Sequence, residues 1–334
     1  MHSTLPARRA DVPRGRGRLV VVELIVHVDS GLVSWPAILV HGGAGTYTRL
    51  DEGGSDAALM SAHLAAALEA ATEAGWGHLV GGSGDPVAAV VAAVRRLEDD
   101  GEFNAGRGSV PNSSGEVEMD AGLMDDNGRA GAVACISCHS AIAAAEEVFR
   151  LDGPVLLAGP NADLFASQRG VPLLETGRGL RAGTADPPPT ADRRSRGGPA
   201  SSEGTVGAVA VSSDGRFAAA SSTGGRPGQM PGRVGDTPLP GAGVWAEAGC
   251  AVSATGAGEA FVLAGFSRLA AAEHLRGSLL TDSLRAGLWA VNRYGGSGGG
   301  IALGGAGAWS ACFSTRAMAR SLRYADGSHT VIVG

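Results

Sequence analysis

The chain contains no lysine, so all 27 of its Lys/Arg positions are arginine. That absence excludes a Schiff-base lysine, a Ser-Lys dyad and the lysine of a phosphate-binding loop. Apolar runs are short, and none approaches the ~20 residues of a membrane helix. Net charge is −6 and no basic stripe crosses the body, which argues against nucleic acid as a partner. Cysteines are few: Cys135, Cys138, Cys250 and Cys312. Cys135-Ile-Ser-Cys138-His139 spells a c-type haem attachment motif, but no export signal precedes it and no second ligand pair exists for zinc. The stretch from Gly131 reads instead as a buried strand entering a helix, where cysteine is an ordinary core residue. Reduced thiols and a cytoplasmic location are the expectation.

Aromatics are scarce at 4%, whereas glycine is plentiful at 54 residues in 334. Both suit a tightly turned sheet protein whose backbone comes close to a ligand. The length allows a sizeable core. In residues 1–35, five arginines precede Leu19-Val-Val-Val-Glu-Leu-Ile-Val. Glu23 and His27 interrupt that run and no small-x-small cleavage site follows, so a signal peptide is not the reading. A disordered extension or a misassigned start is expected, with the fold beginning near Pro36.

Ala37–Val40 reads as a buried strand broken by a tight turn at His41-Gly-Gly-Ala-Gly45, which lacks the spacing of a phosphate cradle. Asp56 to about Glu73 has an Ala-rich helix pattern. Asp85-Pro86 caps a second helix, with Val87, Val90, Val91, Val94 and Leu97 on its apolar face. Ser140–Arg150 is a third. Residues 183–204, rich in Pro, Arg, Ser and Gly, cannot build a core and read as a linker. Beyond it, Thr205–Ser212 and Arg216–Ser222 flank Ser213-Asp214-Gly215 as a hairpin. Val244–Thr255 predicts a strand pair, Glu259–Arg276 and Thr281–Tyr294 helices, and Gly300–Ser314 and His329–Val333 closing strands. Sheets packed face to face with helices outside, an α+β layer architecture, fit this order.

The junction Gly204-Thr205 is the most informative point. Cleavage there would leave a threonine whose α-amine, titrating at about 7.7–8.0, can act as base for its own hydroxyl. Downstream, Thr223 ends the second hairpin strand and can lie across from Thr205. Gly232-Arg-Val-Gly-Asp236 puts a cation and an anion in one Gly-shaped loop. Thr255-Gly256-Ala-Gly258 closes a strand with a hydroxyl and free amides. Upstream, Asn104 sits in the loop after the second helix. Each has a plain explanation alone: a surface ion pair, strand threonines, a turn asparagine.

Taken in order, the segments Pro36–Gly45, Phe103–Val110, Gly115–Ala121, Gly204–Ala210, Ser222–Gly225, Pro231–Asp236 and Pro240–Gly243 resemble the plant-type L-asparaginases, or isoaspartyl peptidases, among the N-terminal-nucleophile hydrolases. The resemblance spans about Pro36 to the C-terminus. It implies a four-layer αββα sandwich forming a single domain over 36–334. It further implies cleavage between Gly204 and Thr205 into fragments 1–204 and 205–334, and pairing of two such units. Carried onto matching positions, it makes Thr205 the nucleophile, supported by Thr223, with Thr255 and Gly256 as the oxyanion hole. Asn104 would orient the nucleophile's surroundings, while Arg233 grips a substrate α-carboxylate and Asp236 an α-ammonium. Gly225 and Gly258 would line the pocket. The implied substrates are small: L-asparagine or a β-aspartyl dipeptide. Catalysis needs no cofactor, and a structural sodium would sit on carbonyls of Leu97, Glu98, Asp100 and Phe103. Asp100-Gly101-Glu102 departs from common versions of that loop, Ala254 replaces a frequent cysteine, and Thr315–Ser321 differs from the usual wording. Alternative readings are an aspartylglucosaminidase-type hydrolase of glycosylasparagine and a non-catalytic binding protein of the same fold.

Overall fold

The computed structural model describes residues 24–45, 54–81, 84–175 and 204–333, with three two-residue strands ahead of them at Ser3–Thr4, Asp11–Val12 and Val20–Val21. The linker over 183–203 lies outside the described residues. Strands β1 (His27–Leu32), β2 (Ala37–Gly45), β3 (Met119–Asp125), β4 (Ala130–Ile136) and β5 (Leu156–Ala158) precede the junction. After it come β6 (Val206–Val211), β7 (Phe217–Thr223), β8 (Val244–Glu247) and β9 (Cys250–Gly256). The last four are β10 (Gly298–Gly304), β11 (Ala308–Phe313), β12 (Ala317–Tyr324) and β13 (His329–Ile332). The helices are α1 (Gly54–Val80), α2 (Pro86–Asp100), α3 (Ala141–Phe149), α4 (Gly159–Gln168), α5 (Gly258–Ala264), α6 (Phe266–Leu275) and α7 (Leu280–Arg293).

Local chemistry sets the element ends. Asp85 Oδ1 accepts from Val87 N at 2.9 Å with Pro86 in the first turn, and Gly101 at φ +91° closes α2. Ser140 caps α3 by accepting from Ala143 N at 3.3 Å. The hairpin forms as expected: Gly215 takes φ +84° and Ser212 Oγ accepts from Arg216 N at 3.0 Å. The single helix expected over Glu259–Arg276 is two, because Gly265 adopts φ +58° and ends α5 before α6 begins.

One sheet runs Ser3–Thr4, β1, β11, β10, β9, β8. The other runs β13, β12, β2, β6, β7, β3, β4, β5, antiparallel throughout except for the β4–β5 pair. Alternation along β2 divides its side chains between two cores. Ile38 and Val40 pack with Val90, Val94 and Leu97 of α2, while Leu39 joins Val209 and Phe217 against Val244, Ile301 and Phe313 of the other sheet. A third cluster puts Phe261, Phe266 and Leu284 on Val252 and Ala302. The architecture is thus α+β, with the two sheets in contact and helices against each. Buried side chains of this size contribute ~1.5–3 kcal/mol each, against at most ~1 for an exposed ion pair, so the apolar faces hold the layers.

Three expectations are corrected. His41–Gly45 does not turn but continues β2, with His41 opposite Gly207 and Gly45 opposite Ala317. Glycine at 42 lets the Phe103 ring come where a Cβ would stand 2.4 Å from it. The fold starts before Pro36: β1 pairs with β11, and Asp29 forms a buried ion pair with Arg320 of β12. That pair joins the two sheets, so some of the segment read as an extension belongs to the core. The strand β12 escaped the sequence pattern because arginines at 320 and 323 interrupt its apolar alternation.

Candidate active site

The cleft nearest the junction is lined by Ala44, Thr205, Thr223, Gly225, Arg226, Arg233, Gly235, Asp236, Thr237, Gly256, Ala257, Ser297 and Thr315. Of the expected residues it therefore brings together Thr205, Thr223, Gly225, Arg233, Asp236 and Gly256. Thr255, Gly258 and Asn104 stand just outside the lining. Antiparallel pairing creates this proximity, since Ser222 lies opposite Val206 and Thr223 opposite Asp120 of β3.

Thr205 is 5% exposed, and its Oγ1 lies 3.4 Å from Thr237 Oγ1. Thr223 Oγ1 accepts from Gly225 N at 3.2 Å, fixing the turn that leaves β7. Asn104 serves the same turn: its Nδ2 donates to Gly225 O at 2.7 Å and its Oδ1 accepts from Val110 N at 3.2 Å. It shapes the wall behind Thr205 and is not among the residues lining the cleft. Thr255 Oγ1 accepts from Ala44 N at 3.1 Å, which leaves the hydroxyl proton able to donate.

The charged end is Arg233 with Asp236. Asp236 is buried and its Oδ2 has no hydrogen-bond partner among the described residues. Burial pushes this carboxyl up to about 7, only partly opposed by a backbone hydrogen bond and by Arg233. A Cβ on Gly258 would stand 2.8 Å from Arg233 Nη2 and 3.0 Å from Asp236 Oδ1, so a side chain there would intrude between the two charges. Arg233 Nε donates to Glu259 Oε1 at 2.9 Å, and Arg226 lies 3.6 Å from the same carboxylate. Glu259 is exposed, so solvent competes for it.

Four residues whose side chains had no assigned role in the sequence reading matter here. Thr237 touches Thr205. Glu259 partners Arg233. Asp120, a buried carboxylate in β3, accepts from Cys135 N at 2.9 Å through Oδ1 and from Gly235 N at 3.0 Å through Oδ2. It thereby anchors the Arg233–Asp236 loop. The fourth is Glu98, expected only as a carbonyl donor. Its carboxyl accepts from Ile142 N at 3.0 Å and from the hydroxyls of Ser140 and Ser222, joining α2, α3 and β7 one residue from Thr223. A polar residue on the α2 apolar stripe was the signal for it. Nearby, His41 Nε2 lies 3.0 Å from Ser253 Oγ, and burial pushes its imidazole down to about 3, so it stays neutral. Cys138, Cys250 and Cys312 are buried, Cys135 is half-buried, and all four thiols are free. Among the described residues no cluster of His, Cys, Asp or Glu could hold a metal, and no helix is long and apolar enough to cross a membrane.

Burial raises Glu98 to about 7, despite the three donors that oppose the shift. The folded state therefore binds a proton that the unfolded state releases between its ordinary value and about 7. Stability from this site is present at low pH and declines as pH rises through that window. Glu98→Gln cannot titrate, so urea unfolding should show the variant gaining on the parent between about pH 4.5 and 7, with a constant difference above.

Comparison with known proteins gives the family of the chain. The asparaginase family profile matches residues 34–333. A plant-type L-asparaginase of Pyrobaculum calidifontis is 39% identical over 306 residues, covering 85% of this chain and 95% of its own. An isoaspartyl peptidase/L-asparaginase of Xenopus laevis is 36% identical, covering 85% and 90%. An isoaspartyl peptidase of Escherichia coli is 36% identical, covering 88% and 94%. With the family profile matching nearly all of the described fold and three relatives above one-third identity over most of both chains, the chain belongs to the asparaginase family, hydrolases of carbon–nitrogen bonds.

Proposed function

We propose that the chain cuts itself between Gly204 and Thr205 and then hydrolyses the side-chain amide of L-asparagine and the isoaspartyl bond of β-aspartyl dipeptides. The observation that carries this reading is the charge pair in the cleft. Asp236 holds a buried carboxylate oxygen with no partner among the described residues beside the Arg233 guanidinium, and Thr205 stands in the same cleft. Both substrates share an α-carboxylate, an α-ammonium and an acyl carbon one methylene away. The guanidinium fork matches the carboxylate and can exchange Glu259 for it, while Asp236 matches the ammonium. A substrate ammonium would return to Asp236 the charge partner that burial denies it. The names of the relatives point to the same two activities.

In this reading the Thr205 hydroxyl attacks the acyl carbon and the amine freed by cutting takes its proton. The Thr255 hydroxyl and Gly256 N–H stabilise the oxyanion, each donor worth ~3–4 kcal/mol in such sites. Thr223, Asn104, Gly225 and Gly258 keep the wall and pocket in shape. The fold is the four-layer αββα sandwich of the N-terminal-nucleophile hydrolases, and two cleaved units pair. A structural sodium belongs to the same reading, on carbonyls of Leu97, Glu98, Asp100 and Phe103. What supports it is that two of these hard oxygens have glycines packed close to them: Glu98 O and Phe103 O lie 2.4 and 1.8 Å from where a Cβ on Gly106 and Gly108 would stand.

On a denaturing gel the purified protein should resolve into two fragments, the second beginning at Thr205, and Thr205→Ala should stay whole; efficient cutting of that variant would sink the mechanism. Arg233→Ala should still cut itself while kcat/KM for L-asparagine falls by two orders of magnitude or more, the scale of a lost charge-assisted pair. Equal losses in cutting and turnover would make Arg233 a folding residue instead. Because the ammonium needs ionised Asp236, kcat/KM should rise with pH through about 7, and Asp236→Asn should lower it at every pH. A profile for L-asparagine that falls across that range would contradict the assignment of Asp236.

A further inference from the structure

We propose that Thr237 is a second hydroxyl of the reaction centre, donating a hydrogen bond to Thr205 Oγ1 and holding the nucleophile in its attacking orientation, which leaves the Thr205 proton for the base. The inference rests on the reading of Thr205 given above and adds a residue to it. Four observations carry it. Among the described residues Thr205 Oγ1 lies 3.4 Å from Thr237 Oγ1, while Thr223 Oγ1 accepts from Gly225 N. Such contacts are commonly long before substrate settles. Thr237 is fully buried yet its residue lines the cleft together with Thr205.

Its backbone, moreover, is clamped. A Cβ on Gly243 would stand 2.6 Å from Thr237 Cα, and one on Gly122 would stand 2.9 Å from Thr237 O. Two glycines therefore let β3 and the chain entering β8 close directly on this residue. Gly235 N is held by Asp120, and Leu239 N donates to Asp236 O at 2.9 Å, which fixes the segment on both sides. A β-branched side chain on so rigid a backbone has little χ1 freedom, so the hydroxyl is placed before any substrate arrives. Finally, Thr205 N in the uncut chain is an amide without a basic lone pair. Orientation of the nucleophile in that state needs another polar group, and among the described residues Thr237 Oγ1 stands within hydrogen-bond distance.

The test compares Thr237→Val, which keeps the shape and loses the hydroxyl, with Thr237→Ala and Thr237→Ser, beside the parent protein and with melting temperatures measured throughout. The expected result is self-cleavage slowed about tenfold in the Val and Ala variants, the scale of one lost hydrogen bond. In the matured Val variant kcat should fall with KM for L-asparagine unchanged, and serine should restore both rates. Cutting and turnover at the parental rate in Thr237→Val would overturn the proposal. So would a serine variant no better than valine, or collapse of the fold in both Val and Ala variants, which would make Thr237 structural. A parent protein that neither cuts nor hydrolyses would instead refute the function proposed above.

Discussion

One buried carboxylate holds the cleft together. Asp120 lies opposite Thr223 in the sheet and donates nothing; it accepts from Cys135 N on one side and from Gly235 N on the other. The end of β4 and the loop carrying Arg233 and Asp236 are thereby tied to one side chain of β3. Taking such a group out of water is unfavourable unless its oxygens are satisfied, and burial does raise its proton affinity. The two backbone donors offset that cost only when all three segments are in place, which couples the geometry of the charged pair to that of the sheet. Glu98 acts in the same way beside Ser222, the neighbour of Thr223, collecting donors from α3 and β7.

Absence of side chains is the second constraint. At 122, 243 and 258 a Cβ would strike the Thr237 backbone or the charged groups of Arg233 and Asp236. These glycines matter for close approach rather than for unusual dihedral angles. The abundance of glycine in the chain therefore reads as a packing requirement, in which strands and loops meet backbone to backbone around one small polar cleft.

Much of this was legible in the residues. The caps at Asp85 and Ser140, the hairpin around Ser213-Asp214-Gly215 and the face of α2 follow from local donors, acceptors and periodicity, and they appear where expected. Errors fell where non-local partners override local pattern. Gly42 and Gly43 suggested a turn, but the chain only bulges there, with Gly43 at φ +107°, and pairing to β12 resumes at Ala44 and Gly45. The segment around Asp29 looked like an appendage until Arg320, far along the chain, met it in the core. The stretch Glu259–Arg276 has continuous helical composition, yet Gly265 divides it.

The sequence alone determined the types and order of the polar residues: Thr205 after Gly204 at the end of the linker, then Thr223, Arg233, Asp236 and Thr255. It determined too the strands and helices that carry them, because short-range periodicity and capping are properties of neighbouring residues. Only the tertiary structure decided which hydroxyl faces which. Thr237, 32 residues from Thr205, meets its Oγ1, while Thr223 turns to Gly225 N and Asn104 to the wall behind. The reason is physical: a hydrogen bond reports positions to a few tenths of an ångström, and those positions are set by sheets, glycine contacts and buried carboxylates contributed by distant regions of the chain.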